Sequence, residues 1–341
     1  MVGQAVALGI GSIGAVGAST LGIPLPWMLG PIIIVTLAAV VGVPMTAPAA
    51  MRKVLMPIIG VMLGSGFYPS LVSQAANWGI TLTILPFYVA AAFSVSFLIY
   101  RKIGKYDTAT AYFSAAPGGL NDMMIIGTEA GGIERRIALA HASRILVVVS
   151  FVSIFFALVF DVRATGSARA YTSFDDLEAF DLIVLLGCAV AGAWIGPILR
   201  LPAPLVLGPM LLSAIVHMTG LTADPPPTVA VNVAQLALGT VVGCRFLGVP
   251  ATEVGRDIGL AAIASGAMIA VALATTLLLI SISSTDFGTG FLVFAPGGLP
   301  EMSLLSLAMG ADVAQVVTMH TLRIALVIGV APIVFRMLRA R

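Results

Sequence analysis

Charge is what this chain most lacks. Of its 341 residues only 9 % are charged, against 59 % hydrophobic, and mean hydropathy is +1.09. Soluble domains carry roughly a quarter charged residues, so the composition excludes a soluble globular protein and predicts an integral membrane protein of many helices. Lys and Arg number 17 against 15 acids, a balance that gives no reason to expect a nucleic-acid partner. There are two cysteines, Cys188 and Cys244, both in apolar stretches and without C-x-x-C spacing. They read as buried membrane thiols rather than a disulfide or a metal site. Met1 to Gly22 has no basic n-region, so this segment reads as a first span and not as a cleaved signal.

What is present is a duplication. Ala-Pro-Gly-Gly-Leu-Asn-Asp-Met over 116–123 returns as Ala-Pro-Gly-Gly-Leu-Pro-Glu-Met over 295–302, an offset of 179. The run Leu21 to Pro31 aligns with Leu199 to Pro209 at 178, and Gly60, Gly64 and Phe67 align with Gly239, Gly243 and Phe246 at 179. The chain has three histidines, and two of them, His141 and His320, fall at matching positions, as do Arg144 and Arg323. Self-similarity at one fixed offset is the signature of a repeat. Residues 1–165 and 182–341 are therefore read as two membrane repeats of one integral membrane domain. The polar stretch 166–181, with Asp175, Asp176, Glu178 and Asp181, is the linker between them.

Each repeat offers five apolar runs able to cross a bilayer: about 4–20, 28–45, 54–69, 79–100 and 133–161, then 182–198, 205–221, 229–247, 258–281 and 312–337. The Pro-Gly-Gly segments, about 108–128 and 288–308, are left over. Charge placement decides how they run. Arg52-Lys53, Arg101-Lys102-Lys105, Arg135-Arg136 and the C-terminal Arg336, Arg339 and Arg341 all fall on one side if each Pro-Gly-Gly segment enters and leaves by the same face, and the positive-inside rule makes that side cytoplasmic. The expected fold is thus an all-α polytopic membrane protein. It has two inverted repeats of five transmembrane helices, each with one re-entrant Pro-Gly-Gly hairpin. That makes ten spans, with both termini inside and the linker outside. Twelve spans with broken helices are the alternative.

In a hairpin over 108–128 each arm rises about 13 Å, which brings the tip close to the middle of a core about 30 Å thick. Gly118-Gly119 and Gly297-Gly298 are expected to let the chain reverse and to leave main-chain groups free for a ligand. Irregular backbone at that depth is tolerated only where protein or a watered cavity covers it. Asp122, next to Asn121, falls in the first turn of the returning arm, at the positive end of its dipole, and Glu301 does the same in the second hairpin. His141 and Arg144, three residues apart on one helix face, and their copies His320 and Arg323 arrive at similar depth. Pro117, Gly118, Gly119, Asn121, Asp122, His141, Arg144, Pro296, Gly297, Gly298, Glu301, His320 and Arg323 are the candidate substrate- or ion-binding residues. Two readings stand side by side. The carboxylates and arginines bind a solute or coupling cation, with histidine as proton carrier, or they hold only the tips and each other. No catalytic residue, metal ligand or cofactor is expected. His217, without a copy, reads as interfacial.

These residues resemble the AbrB-duplication family of bacterial membrane proteins over essentially the whole chain. The resemblance rests on both Leu-Gly-Pro signatures, both Ala-Pro-Gly-Gly-Leu runs with their acid and Met, and the His-x-x-Arg pairs. It implies a multi-pass protein of the bacterial inner membrane. Family members carry labels such as AbrB family transporter, ammonia monooxygenase and membrane regulator. The expected function is secondary active transport of a small anionic solute coupled to H⁺ or Na⁺, with no enzyme activity. The lipid bilayer is a partner, and architectural analogy adds a homodimer. The alternative class is a membrane sensor that affects gene expression indirectly. The oxygenase label fits least, since such a centre needs clustered His and carboxylate ligands.

Overall fold

The computed structural model describes residues 2–69, 78–160 and 171–339, and among these the regular structure is helical throughout. Part of the expected linker, 166–170, and the basic residues Arg163, Arg169 and Arg341 lie outside the described residues. The described α-helices fall into two sets of seven. The first set is α1 Val2–Thr20, α2 Pro26–Val41, α3 Ala49–Gly64, α4 Gly79–Leu98, α5 Thr108–Ala115, α6 Leu120–Glu129 and α7 Glu134–Phe160. The second is α8 Ala179–Ile198, α9 Pro204–Met218, α10 Thr228–Gly243, α11 Ala251–Ile282, α12 Phe287–Phe294, α13 Leu299–Met309 and α14 Val313–Arg339. Among the described residues, seven helices are long and apolar enough to cross a membrane. Phe87 and Trp194 expose more than 70 % of their surface, as expected where lipid is the solvent.

Local chemistry sets the helix boundaries, and it does so twice. Pro26 and Pro204 open α2 and α9 at a position where a missing N–H is harmless. The residue before each, Leu25 and Ala203, sits in the left-handed region at φ 52° and 47°, a strained setting for a side chain with a Cβ. Asp107 and Asp286 cap α5 and α12, accepting the N–H of Thr110 and of Thr289, each at 2.9 Å. The ends of α2, α3, α9 and α10 fall three to five residues short of the expected spans, because Gly42 (φ 88°), Gly220 (φ 72°) and short turns stop them.

The chain divides into two compact units. One comprises Met1–Gln74, Val152–Gly248 and Ser303–Ala314; the other comprises Ala75–Phe151, Val249–Met302 and Gln315–Arg341. In the first unit α1 packs on α2 and α8 on α9, while α2 packs on α10 and α9 on α3. Glycine makes these approaches possible. A methyl on Gly30 would overlap the backbone of Gly14, and one on Gly208 that of Gly192. Likewise a Cβ at Gly60 would strike the Val206 carbonyl, and one at Gly239 the Met28 carbonyl. The Leu-Gly-Pro and G-x-x-x-G signatures are thus close-contact surfaces inside helices. His217, in the last turn of α9, is 8 % exposed. It ties α9 to the following loop through the Ser213 and Asp224 carbonyls at 2.7 and 3.1 Å. The second unit has a core of Tyr100, Tyr106, Ala111, Ala115, Ala140, Leu260 and Ala264, and it holds the residues that carry the site.

Candidate functional site

Two short helices joined by an extended tip make each hairpin, and both hairpins begin in the second unit. In the first, α5 ends at Ala115 and α6 starts at Leu120. Ala116 and Gly119 between them are extended, at φ −58°, ψ 125° and φ −63°, ψ 134°. A helix that stops leaves its last four carbonyls without partners, and inside a membrane each costs several kcal/mol. The His-x-x-Arg pair of α7 meets that need. His141 Nε2 donates to the Phe113 carbonyl at 2.8 Å, and Arg144 donates to the Ala116 carbonyl at 3.2 Å. Arg144 also donates to His141 Nδ1 at 2.8 Å.

The second hairpin repeats this bond for bond. His320 Nε2 donates to the Leu292 carbonyl at 2.9 Å, and Arg323 to the Ala295 carbonyl at 2.8 Å and to His320 Nδ1 at 3.1 Å. A further Arg323 N–H reaches the Gly297 carbonyl at 2.6 Å. Because a carbonyl only accepts, each histidine must carry its proton on Nε2 and offer the Nδ1 lone pair to the guanidinium. Each pair therefore places a positive charge at the negative end of a half-helix.

The motif's two glycines serve the two residues that close it. Neither tip uses a left-handed glycine: Gly118, Gly119, Gly297 and Gly298 are all absent from the positive-φ set. Chain reversal by glycine flexibility, expected above, is therefore not how the tips are built. A Cβ on Gly118 would lie 3.0 Å from Met123 Cγ, and one on Gly297 2.7 Å from Met302 Cε. A Cβ on Gly119 would overlap the Asp122 carboxylate, and one on Gly298 the Glu301 carboxylate. The first glycine makes room for the methionine and the second for the acid. Both carboxylates thus turn onto the tip at the start of the returning helix. Arg144 meets main chain and histidine, not Asp122. Pro117 and Pro296 are buried, Asn121 is exposed, and the two acids differ: Asp122 is half-buried while Glu301 is 4 % exposed.

One residue escaped the sequence reading. Tyr88 of α4 is 2 % exposed, packs on Phe294 with ring centroids 5.1 Å apart, and lies beside Arg323 within the field of both arginines. Arg144 also feels the charge of Arg323, so the two His-Arg pairs converge. The Tyr88 hydroxyl is buried and interacts with the Arg323 guanidinium. Duplication could not flag Tyr88, because position 267 holds alanine. Among the described residues no three His, Cys, Asp or Glu side chains gather to hold a metal.

A doubled helical arrangement with membrane-length helices and two capped hairpins defines a polytopic membrane protein. The family described as "Transition state regulatory protein AbrB" matches residues 27–339, and the chain belongs to it. It is similar to "Uncharacterized protein YhjN" of Bacillus subtilis (strain 168), 27 % identical over 97 % of this chain and 92 % of the relative. It is also similar to "Putative regulator AbrB" of Escherichia coli (strain K12), 24 % identical over 94 % of this chain and 92 % of that protein.

Proposed function

We propose that this protein is a secondary active transporter of a small anionic solute, coupled to H⁺ or Na⁺, with its site between the two hairpin tips. The observation that carries the reading is the convergence of Arg144 and Arg323 on Tyr88, which gathers two buried guanidinium groups around one buried hydroxyl. Buried charges of one sign call for a countercharge, and a ligand with carboxylate or similar oxygens would supply one to both guanidinium groups. In this reading the two sets of seven helices are inverted repeats. Each has five spans and one re-entrant hairpin, both termini are cytoplasmic, and the protein sits in the bacterial inner membrane as a homodimer. It is not an enzyme and does not touch nucleic acid.

The test is uptake of a panel of small mono- and dicarboxylates into proteoliposomes under inward Na⁺ or H⁺ gradients. At least one anion should accumulate with a gradient, and Tyr88→Phe should lower its uptake by about tenfold, the worth of one hydrogen bond to a charged group. Wild-type behaviour of Tyr88→Phe would place the site elsewhere, and no gradient-driven uptake of any anion would end the transport reading. The names of the family and of the Escherichia coli relative favour a second reading, a membrane sensor acting on gene expression indirectly. That reading is supported if an anion raises the melting temperature yet is not moved. No observation favours an oxygenase.

A further inference from the structure

A cavity of about 320 Å³ opens in the second unit where the first turns of α7 and α11 meet, lined by Arg135, Arg136, Glu253, Arg256 and Asp257 with Ile133 and Leu139. This volume is at the lower end for small-ligand sites. Three cations face two acids here, and both acids are engaged. Glu253 pairs with Arg135 at 3.2 Å, and Asp257 accepts the Tyr106 hydroxyl at 3.1 Å. Burial and the neighbouring Asp257 push the Tyr106 hydroxyl well above the usual phenol range, so it stays protonated as the donor. Arg136 lies with its guanidinium carbon 5.1 Å from the Tyr106 ring centroid. That stacking holds its plane and leaves its N–H edges for another partner. Neither Arg136 nor Arg256 has a carboxylate within ion-pair distance among the described residues.

The placement of these arginines works against helix stability. Arg135 and Arg136 stand in the first turn of α7 and Arg256 in the second turn of α11, at ends where the dipole already favours negative charge. Two helix N-termini and two uncommitted guanidinium groups around one cavity make an anion-attracting site. It also breaks the duplication. The positions 179 away from Arg135, Arg136 and Arg256 hold Ala314, Gln315 and Asn77, so the arginine set has no copy in the other half. The charge reading places these arginines at the cytoplasmic surface, where anionic headgroups lie.

We propose that this pocket binds a phosphate-bearing anion, through bidentate contacts from Arg136 and Arg256, as a site separate from the hairpin tips. A phospholipid headgroup and free phosphate share this chemistry. Full-length protein in neutral-detergent micelles containing phosphatidylcholine would be titrated with phosphatidylglycerol or, separately, with inorganic phosphate at matched ionic strength, and the melting temperature followed. A saturable rise with one of the two names the source, and a rise with both means the phosphate group alone is recognised. Arg136→Gln and Arg256→Gln should each weaken the response about tenfold, the loss of one charge-assisted contact, and the exposed Lys102→Gln should not. Absence of a saturable response to either ligand would overturn the proposal. So would an equal loss in Lys102→Gln, which would mark a diffuse surface effect. Should the arginine variants melt lower without ligand, the phosphate concentration at half response still separates a binding loss from a folding loss.

Discussion

Replacing Gly119 by alanine puts a methyl group where the Asp122 carboxylate lies. All three atoms that the new Cβ would approach belong to Asp122, the Cγ at 3.5 Å and the Cβ at 3.9 Å following the overlapped oxygen. The same holds at Gly298, where Glu301 supplies the three nearest atoms, with Cδ at 2.9 Å and Oε1 at 3.4 Å. The clash is therefore with one side chain and not with the backbone. Relief requires the carboxylate to swing off its rotamer, about 0.5–1.5 kcal/mol, and to leave the helix N-terminus, worth about 0.3–1 kcal/mol. The single substitution should cost about 1–3 kcal/mol, more at Gly298. Asp122 is half-buried and can turn outward, whereas Glu301 is enclosed.

The decisive measurement is a double-mutant cycle, read from equilibrium unfolding in mixed micelles followed by circular dichroism. With Asp122→Ala in place, the nearest remaining contact for the Gly119 methyl is the Cβ at 3.9 Å, ordinary van der Waals distance. Gly119→Ala should then lose most of its cost, which gives a coupling of about 1–2 kcal/mol. Gly298→Ala with Glu301→Ala should couple more strongly. If the two substitutions add within about 0.5 kcal/mol, the second glycine is not there for the carboxylate, and the account of the motif fails.

Two further outcomes follow from the same geometry. Arg323→Lys keeps the charge but offers a single ammonium to three acceptors, the Ala295 and Gly297 carbonyls and His320 Nδ1. It should destabilise by about 1–3 kcal/mol for the carbonyl left bare, and a cysteine placed near the tip should become more accessible to thiol reagents. Asp107 lies outside the spans. Burial alone would raise its carboxyl, but the hydroxyl and N–H of Thr110 more than offset that and hold it below its usual 3.8. A depressed folded value stabilises fully above the unfolded one, so this contribution persists down to pH 3.8 and disappears only as the pH falls through the lower folded value. Asp107→Ala should cost about 1 kcal/mol at neutral pH, typical of a lost N-cap, and should flatten the acid limb of the melting-temperature profile; an unchanged limb would refute the cap.

Much of the arrangement was legible because it is written twice. A helix break in apolar sequence is conspicuous, and the equal offsets of Pro117 to Pro296, His141 to His320 and Arg144 to Arg323 placed both breaks and the helices beside them. What those residues touch was not legible. Arg144 and Arg323 meet main-chain carbonyls, and a carbonyl has no letter in a sequence. The glycines misled for a related reason. Sequence shows that a Cβ is absent but not whether the absence frees a dihedral or a volume, and at Gly119 the dihedral is ordinary, φ −63°. Tyr88 and the arginine pocket were invisible to repeat logic because neither has a copy.

The bonding of the histidines bears on how a proton would couple within the proposed transport reading. His141 and His320 each have one nitrogen donating to a carbonyl and the other accepting from arginine. Neither ring can take a second proton without first releasing its guanidinium, and that release would uncap the half-helix it closes. Each histidine is thus a fixed spacer between arginine and hairpin rather than a free carrier. The carboxylates differ, since each lies against a tip where the second glycine leaves it room, and neither accepts any of these cap bonds. Within that reading we propose Asp122 and Glu301 for the coupling role, and their unequal burial predicts unequal affinity of the two halves for the coupling ion.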